Sequence, residues 1–333
     1  MPGYSIAQRT NMTDFAQFGV VPETLLLTSK GYEKISSLED QNVQIWNGEQ
    51  FETTTVVKVG VDQRIVRVTT RNLMELECSE NQQFTTQPGL MPINLLTKEA
   101  FELEDGIKLP RIPMCPITEG GDTTFPHAYT HGFYSGMERY QRSRLTLSRA
   151  AIYGVRRPLL EKIELNKEET SKISIVLPET LPHDFEVPLD PKYSIETKLE
   201  WLAGLFDGGF YKRKTKPLPI WMFYSDSGDF LYQVKLLLQT LGVDSTHVKN
   251  NDAVSKYYSI SVRGKALEVL RDLGIPTVLK KFEDIHIKPN GPNGVLPARI
   301  HSVEDAYRTA DIYNFTETKR KTAVVNGMFI ATN

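Results

Sequence analysis

Residues 194–210 constrain the fold more than any other stretch of this chain. Ser194 is placed to cap a helix in which Ile195, Leu199, Leu202, Leu205 and Phe206 recur at helical spacing. Ala203 and Gly204 leave one flank of that helix without bulk. A thin flank lets a second helix approach closely, so the segment predicts a helix–helix interface. With 333 residues, 40% of them hydrophobic, the chain can bury a large core and has the length for two domains.

The text on either side of this helix changes character twice. From Val20 to about Pro113 it predicts short strands at Thr24 to Leu27, Val43 to Trp46, Thr53 to Val59, Arg64 to Thr70 and Met74 to Glu77. Turn signals such as Ser29-Lys30-Gly31, Asn47-Gly48-Glu49 and Gln87-Pro88-Gly89 separate them. From Phe125 to about Ile275 longer helical segments alternate with strand pairs, and the chain then returns to strand-like text. The order β, α+β, β predicts an insertion: one β domain assembled from both chain ends around an inserted domain.

Composition excludes several classes. No apolar run reaches the roughly 18 residues of a membrane helix, and the polar start Met1-Pro2-Gly3-Tyr4-Ser5 lacks the features of a signal peptide. An intracellular setting is expected, cytoplasmic or nucleoid-associated, or inside a virion, with no membrane partner and no small-molecule substrate. Cys78 and Cys115 form no zinc spacing and no disulfide framework. A net charge of −2 argues against a wholly basic nucleic-acid coat, so any DNA-binding face has to be local.

Trp201-Leu202-Ala203-Gly204-Leu205-Phe206-Asp207-Gly208-Gly209-Phe210 resembles the signature helix of LAGLIDADG homing endonucleases. The following text fits one half of such a domain. A strand at Ile220 to Tyr224 leads to a helix from Asp229 to Leu241 ending at Gly242, strands near Ser245 to Lys249 and Tyr257 to Val262, and a helix from Lys265 to Leu273 closed by Gly274. A first half begins at His131-Gly132-Phe133-Tyr134-Ser135-Gly136, with strands at Arg144 to Ser148 and Ala151 to Val155 and a helix from Arg157 to Ile163. The two halves are expected over about 125–190 and 194–275.

The flanks resemble an intein, the self-splicing element built on the Hint fold. Val21-Pro22-Glu23-Thr24-Leu25-Leu26-Leu27-Thr28, Trp46-Asn47-Gly48-Glu49 and Leu76-Glu77-Cys78-Ser79 carry the opening of the match. Asp311-Ile312-Tyr313-Asn314-Phe315 and Val325-Asn326-Gly327-Met328 carry its end. Inteins resident in ribonucleotide reductases commonly have this arrangement. The resemblance implies a mixed fold: an all-β, horseshoe-like Hint domain from residues 19–113 and 285–333, interrupted by an α+β pseudo-symmetric LAGLIDADG domain at 125–275, with residues 1–18 as a leader or extein remnant.

Set against the chemistry these families perform, the catalytic positions are vacant. Splicing starts with a thiol or hydroxyl at the first intein residue, which here aligns with Gly19. The histidine that protonates the departing amide aligns with Gln82 in Ser79-Glu80-Asn81-Gln82. The later assisting groups align with Asn314, Lys321 and Thr332, and only the terminal Asn333 survives. All six histidines (His127, His131, His183, His247, His286, His301) lie away from these blocks. DNA cleavage needs one metal-binding carboxylate from each signature helix. Those positions align with Met137 and Gly209.

Glu138 and Asp207 are neighbouring acids. One helical step turns a side chain by about 100° and two by about 200°, so neither is expected to face a shared metal, and both read as solvated or capping acids. No cofactor is expected, with magnesium relevant only to a chain that still cuts.

DNA binding needs cations on the strands of each half. Arg139, Arg142, Arg144, Arg149, Arg156 and Arg157 in the first half and Lys212, Arg213, Lys214 and Lys216 in the second are the candidates. Two functions compete: a domesticated intein-endonuclease that binds double-stranded DNA without splicing or cutting, and a protein-interaction subunit of a larger viral or polymerase assembly. An active nuclease using Glu138 and Asp207 is a third.

Overall fold

The two ends of the chain build one set of sheets, and the segment between them carries four α-helices among the described residues. The computed structural model describes residues 18–70, 74–86, 89–93, 95–96, 117–136, 144–148, 172–176, 186–213, 220–251, 256–278 and 299–332. The N-terminal part gives β1 (Leu25–Thr28), β2 (Gly31–Lys34), a 3-10 turn (Ile35–Leu38), β3 (Asn42–Trp46), β4 (Phe51–Thr55), β5 (Val57–Thr70), β6 (Glu75–Ser79), β7 (Gln83–Thr86) and β8 (Gly89–Pro92). The inserted part gives α1 (Ala128–Gly136), β9 (Arg144–Ser148), β10 (Lys172–Val176), α2 (Ile195–Gly208), β11 (Tyr211–Arg213), β12 (Ile220–Ser225), α3 (Gly228–Thr240), β13 (Thr246–Asn251), β14 (Lys256–Arg263) and α4 (Lys265–Asp272). The chain ends in β15 (Ile300–Asn314), β16 (Thr322–Val325) and β17 (Met328–Ala331).

Strand pairing joins the two ends of the chain. One sheet runs β17-β16-β1-β3-β4 with β2 on β1, and a second runs β15-β5-β6. Leu26 pairs with Val325 and Thr70 with Ile300, so segments far apart in sequence are neighbours in space. β16 and β17 close on Asn326-Gly327, both at positive φ, the two-residue hairpin for which Asn-Gly is the favoured sequence. Alternate strand residues Leu26, Ile45, Val68, Leu76, Phe84, Val325 and Ile330 fill the core between these sheets. The fold is therefore mixed, with curled antiparallel sheets from the flanks and the helices in the insertion.

One strand differs from the sequence expectation. Thr53 to Val59 is broken at Val56, because Val56 leaves the β3 ladder and bonds to the 39–41 turn: its carbonyl accepts from Asp40 N at 2.8 Å and its N–H donates to the Gln41 carbonyl at 3.4 Å. Beyond it β5 runs without a break and absorbs the strand expected at Arg64 to Thr70.

In the insertion, Ser194 caps α2 through its Oγ, which accepts from Thr197 N at 3.2 Å. Gly242 and Gly274 follow α3 and α4 at positive φ, where a glycine terminates a helix without steric cost. The sheet order β11-β12-β14-β13 lies against these helices, with Trp221, Phe223, Ile260 and Val262 buried in their shared core. The first-half strand expected at Arg144 to Ser148 is β9, paired with β10. The strand at Ala151 to Val155 and the helix at Arg157 to Ile163 fall outside the described residues.

Helix α3 also joins the insertion to the β domain. Leu236 packs with Leu27, Tyr32, Trp46, Val324 and Phe329. Tyr32 Oη donates to Gln239 Oε1 at 2.7 Å, and Tyr232 Oη donates to the Asn326 carbonyl at 2.8 Å.

Candidate functional site

The β domain gathers the positions that would carry splicing chemistry. Val20 bridges both Tyr313 and Cys78, which sets Gly19 between β6 and β15. Gly19 N donates to Ser79 Oγ at 3.2 Å and its carbonyl accepts from Ser79 N at 2.9 Å. A Cβ on Gly19 would lie 2.7 Å from the Tyr313 carbonyl oxygen and 3.1 Å from Ile312 Cβ. A thiol or hydroxyl side chain therefore has no room here unless β15 moves.

Gln82 is buried, and its Nε2 donates to the Gln83 carbonyl at 2.7 Å and to the Ala331 carbonyl at 3.0 Å. It lies beside the last strand, where a proton donor would be needed, but an amide does not titrate and serves as a cross-link. Asn314 Oδ1 accepts from Phe315 N at 2.8 Å, while its Nδ2 is buried with no hydrogen-bond partner. Thr332 Oγ1 accepts from Glu317 N at 3.3 Å, and Lys321 offers its backbone carbonyl to Thr332 N at 3.0 Å. Asn333 lies outside the described residues. Cys78, the neighbouring thiol, does not replace the missing nucleophile. Burial, reinforced by Glu77, pushes its pKa far up, and the nucleophilic form is the thiolate.

Ser79, which holds both ends of the Gly19 peptide unit, was not among the candidates from sequence. Its hydroxyl three positions before Gln82 is the only local signal for it.

The second centre is the contact between α1 and α2. Added Cβ atoms show how close the backbones are: one on Gly132 would meet the Trp201 carbonyl oxygen at 1.9 Å, one on Gly204 the Tyr129 oxygen at 2.0 Å, and one on Gly208 the Phe133 oxygen at 2.3 Å. Glycines four apart on both helices make this approach sterically allowed. At its lower end, a Cβ on Gly209 would lie 2.5 Å from the Gly136 carbonyl oxygen and 2.5 Å from Phe223 Cε2. The place of a metal-binding side chain is filled by backbone and by a ring from β12.

Asp207 corrects the expectation of a solvated or capping acid. It is buried, and its Oδ2 accepts from Tyr129 Oη at 2.8 Å and from Val278 N at 2.6 Å. Burial, then the Asp207 charge and hydrogen bond, raise the Tyr129 phenol far above its ordinary range, so the phenol stays a neutral donor. His131 is likewise internal, its Nδ1 accepting from Trp201 Nε1 at 2.8 Å. No group of three His, Cys, Asp or Glu side chains able to hold a metal exists among the described residues. The residues present at Gly209 and Asp207 do not fit a divalent ion, and no step is derived through one. Met137 and Glu138 lie outside the described residues.

The basic candidates separate by strand register. Arg213 pairs in register with Ile220 and Lys212 with Trp221. Arg144 stands opposite Val176 on β9. Arg139, Arg142, Arg149, Arg156, Arg157, Lys214 and Lys216 fall outside the described residues.

The open face carries Tyr211, Ile220, Met222, Tyr224, Ser261 and Arg263, and none of the positions that the register puts there is acidic. Arg263 is not among the sequence candidates, because it does not lie in a run of cations. Its Nε is buried without a hydrogen-bond partner, and it makes no ion pair among the described residues. Cations on the β5–β15 ribbon are, by contrast, matched: Lys58 with Asp311 at 3.1 Å, Arg67 with Glu77 at 2.6 Å, Arg64 with Asp305 at 2.5 Å and Arg308 with Glu77.

A family model described as a LAGLIDADG-like domain matches residues 196–311. The ribonucleoside-diphosphate reductase large subunit of Invertebrate iridescent virus 6 is 25% identical over 344 residues, covering 93% of this chain and 35% of that protein. The chain thus spans about a third of the length of the curated relative it matches. Among solved structures, a G-1F mutant of the Ssp DnaB mini-intein variant M86 is similar at 8% identity and TM-score 0.32, over 95% of this chain and 99% of that one. A DnaB intein from Synechocystis sp. PCC 6803 is similar at 19% identity and TM-score 0.23, over 28% and 70%. The strand pairings of the chain itself, not these superpositions, carry the fold assignment.

Proposed function

We propose, from the premise that this chain is an intein-type protein with a LAGLIDADG-like domain, that it neither splices nor cuts and acts by binding double-stranded DNA. The Gly136–Gly209 contact carries the reading. Two-metal hydrolysis needs a carboxylate at the foot of each signature helix, and at Gly209 the space for its Cβ is occupied by a carbonyl oxygen and a phenyl ring. Splicing chemistry is missing on independent grounds, since Gly19 supplies no nucleophile and Gln82 no titrating proton. What the same domain keeps is an acid-free open sheet face bearing Arg263, a guanidinium with no protein partner among the described residues.

Duplex binding measured against salt tests this. Affinity falls steeply as salt rises when several phosphates are contacted. A flat or absent response refutes DNA binding. Incubation with magnesium and a randomised duplex library is expected to leave the DNA intact, and the purified chain is expected to keep its full mass.

A second reading, a component of a protein assembly, draws on the β5–β15 ribbon. Tyr307 there is 92% exposed at positive φ and Val61 is 62% exposed, with the neighbouring cations already paired. Alignment with part of a viral reductase subunit supports placing the chain among elements carried by such genes.

A further inference from the structure

We infer that the open face of the β11-β12-β14-β13 sheet selects DNA by the C5-methyl groups of thymine, with Ile220 and Met222 as the reading side chains. The inference rests on the DNA-binding reading above and names what that face recognises. Ile220 and Met222 are half-buried neighbours on one strand and share a face, while the alternate residues Trp221 and Phe223 are locked in the core. Tyr211 stacks on Tyr224 with ring centroids 5.5 Å apart, and Tyr211 Oη lies 3.9 Å from Met222 Sδ, so the two rings wall Met222 on one side. Across the sheet, Ser261 stands opposite Met222 and Arg263 opposite Ile220.

Ile220, Met222 and Tyr224 make a strip along β12 whose first two members are apolar, bordered on β14 by the hydrogen-bonding side chains of Ser261 and Arg263. In the major groove the one apolar group among the bases is the thymine methyl, and aliphatic side chains recognise it by contact. The groove, about 12 Å wide, admits a two-stranded ribbon, and β11–β12 form the edge pair of this sheet. Residues two apart on a strand are separated by about 6.8 Å, which is two steps of the about 3.4 Å rise of the duplex. Ile220 and Met222 are therefore spaced to touch methyl groups two base-pair steps apart. Charge selects the duplex over an apolar protein surface as the occupant: the face has no carboxylate at any register position and holds Arg263 unpaired among the described residues, which complements a polyanion.

The test compares the full chain on two random-sequence duplex pools, identical except that one carries deoxyuridine for thymidine. The exchange removes only the methyl and keeps every hydrogen bond. One buried methyl corresponds to about a 4-fold change in affinity, so the thymidine pool is expected to bind roughly 16-fold more tightly when both contacts are made. Sequences retained from the thymidine pool are expected to be enriched in thymines two steps apart. Met222→Ser and Ile220→Thr are each expected to shrink the difference between the pools while leaving the salt dependence of binding in place. Equal affinity for both pools overturns the methyl reading and leaves DNA binding standing. No binding to either pool overturns DNA binding itself, and the methyl reading with it.

Discussion

The splice-type centre and the signature-helix interface both hold non-catalytic residues at the positions that align with catalytic ones, but they fill those positions in different ways. Gln82, which aligns with the splicing histidine, is a polar side chain that donates to the Ala331 carbonyl of the last strand. Around Gly209 nothing polar replaces the missing acid. The helices meet through backbone, and Phe223 fills the remaining space. A side-chain exchange of the first kind leaves the local scaffold in its old shape, whereas the second kind makes the vacancy a condition of the packing. Restoring the catalytic residue is therefore expected to be tolerated poorly at the helices and better among the strands.

Gly209→Asp is expected to have the largest effect. It drives a Cβ onto the Gly136 oxygen and the Phe223 ring and buries a carboxylate with no partner, so unfolding in urea should show a loss of about 3 kcal/mol or more. Magnesium is not expected to induce cleavage in this variant. A variant of wild-type stability that cuts DNA would show that the interface is adaptable and erase the distinction. Gly19→Cys comes next, at about 1–3 kcal/mol, because its Cβ meets the Tyr313 oxygen less closely and β15 already contains register shifts that can absorb a displacement. The added thiol is not expected to yield a thiol-sensitive break before residue 19, since Gln82 and Asn314 still supply no proton. Fragment release with a thiol reagent would show that the β centre needs only its nucleophile.

The difference between the two centres was only partly legible in the sequence. Ser194, Gly242 and Gly274 announce their helix ends through local chemistry, and the ends fall where those residues place them. Ala203 and Gly204 announced a close helix contact, and Gly204 is in one. Asp207 was misread because its partners, Tyr129 and the Val278 N–H, lie on segments that meet α2 only after the domain has folded. Gly19 read as a vacant position, but its closure depends on the backbone of Tyr313 at the other end of the chain. Arg263 was missed although the alternation in Ile220–Ser225 carried the signal: Trp221 and Phe223 on one side imply an outer face made by their neighbours.

Gln82→Ala sharpens the polar-replacement half of the comparison. It leaves the buried Ala331 carbonyl without its donor and is expected to cost about 1–2 kcal/mol. Protease cleavage near the C-terminus should accelerate more than cleavage in the insertion. An equal acceleration in both would mean that α3, through Tyr232 and Asn326, transmits the loss across the module boundary.

The smallest effect separates the two regions by pH. Cys78 belongs to the β domain, and burial, then Glu77, raises its pKa; Tyr129 belongs to the helix interface, and burial, then Asp207, raises its pKa. A group with a raised folded pKa contributes stability that is fully present below its unfolded pKa and is lost as pH rises beyond it. Unfolded thiols titrate near 8.5 and unfolded phenols near about 10. Alkali should therefore weaken the β domain first. Cys78 alone accounts for a loss of about 1 kcal/mol near pH about 9, with the Tyr129 contribution added only above pH about 10. Unfolding measured across this range in Cys78→Ala is expected to be flatter between the two thresholds, and in Tyr129→Phe flatter only above the second. If Tyr129→Phe changed the lower window, the phenol would be titrating in the folded chain, and its hydrogen bond to Asp207 would not be a fixed element of the interface.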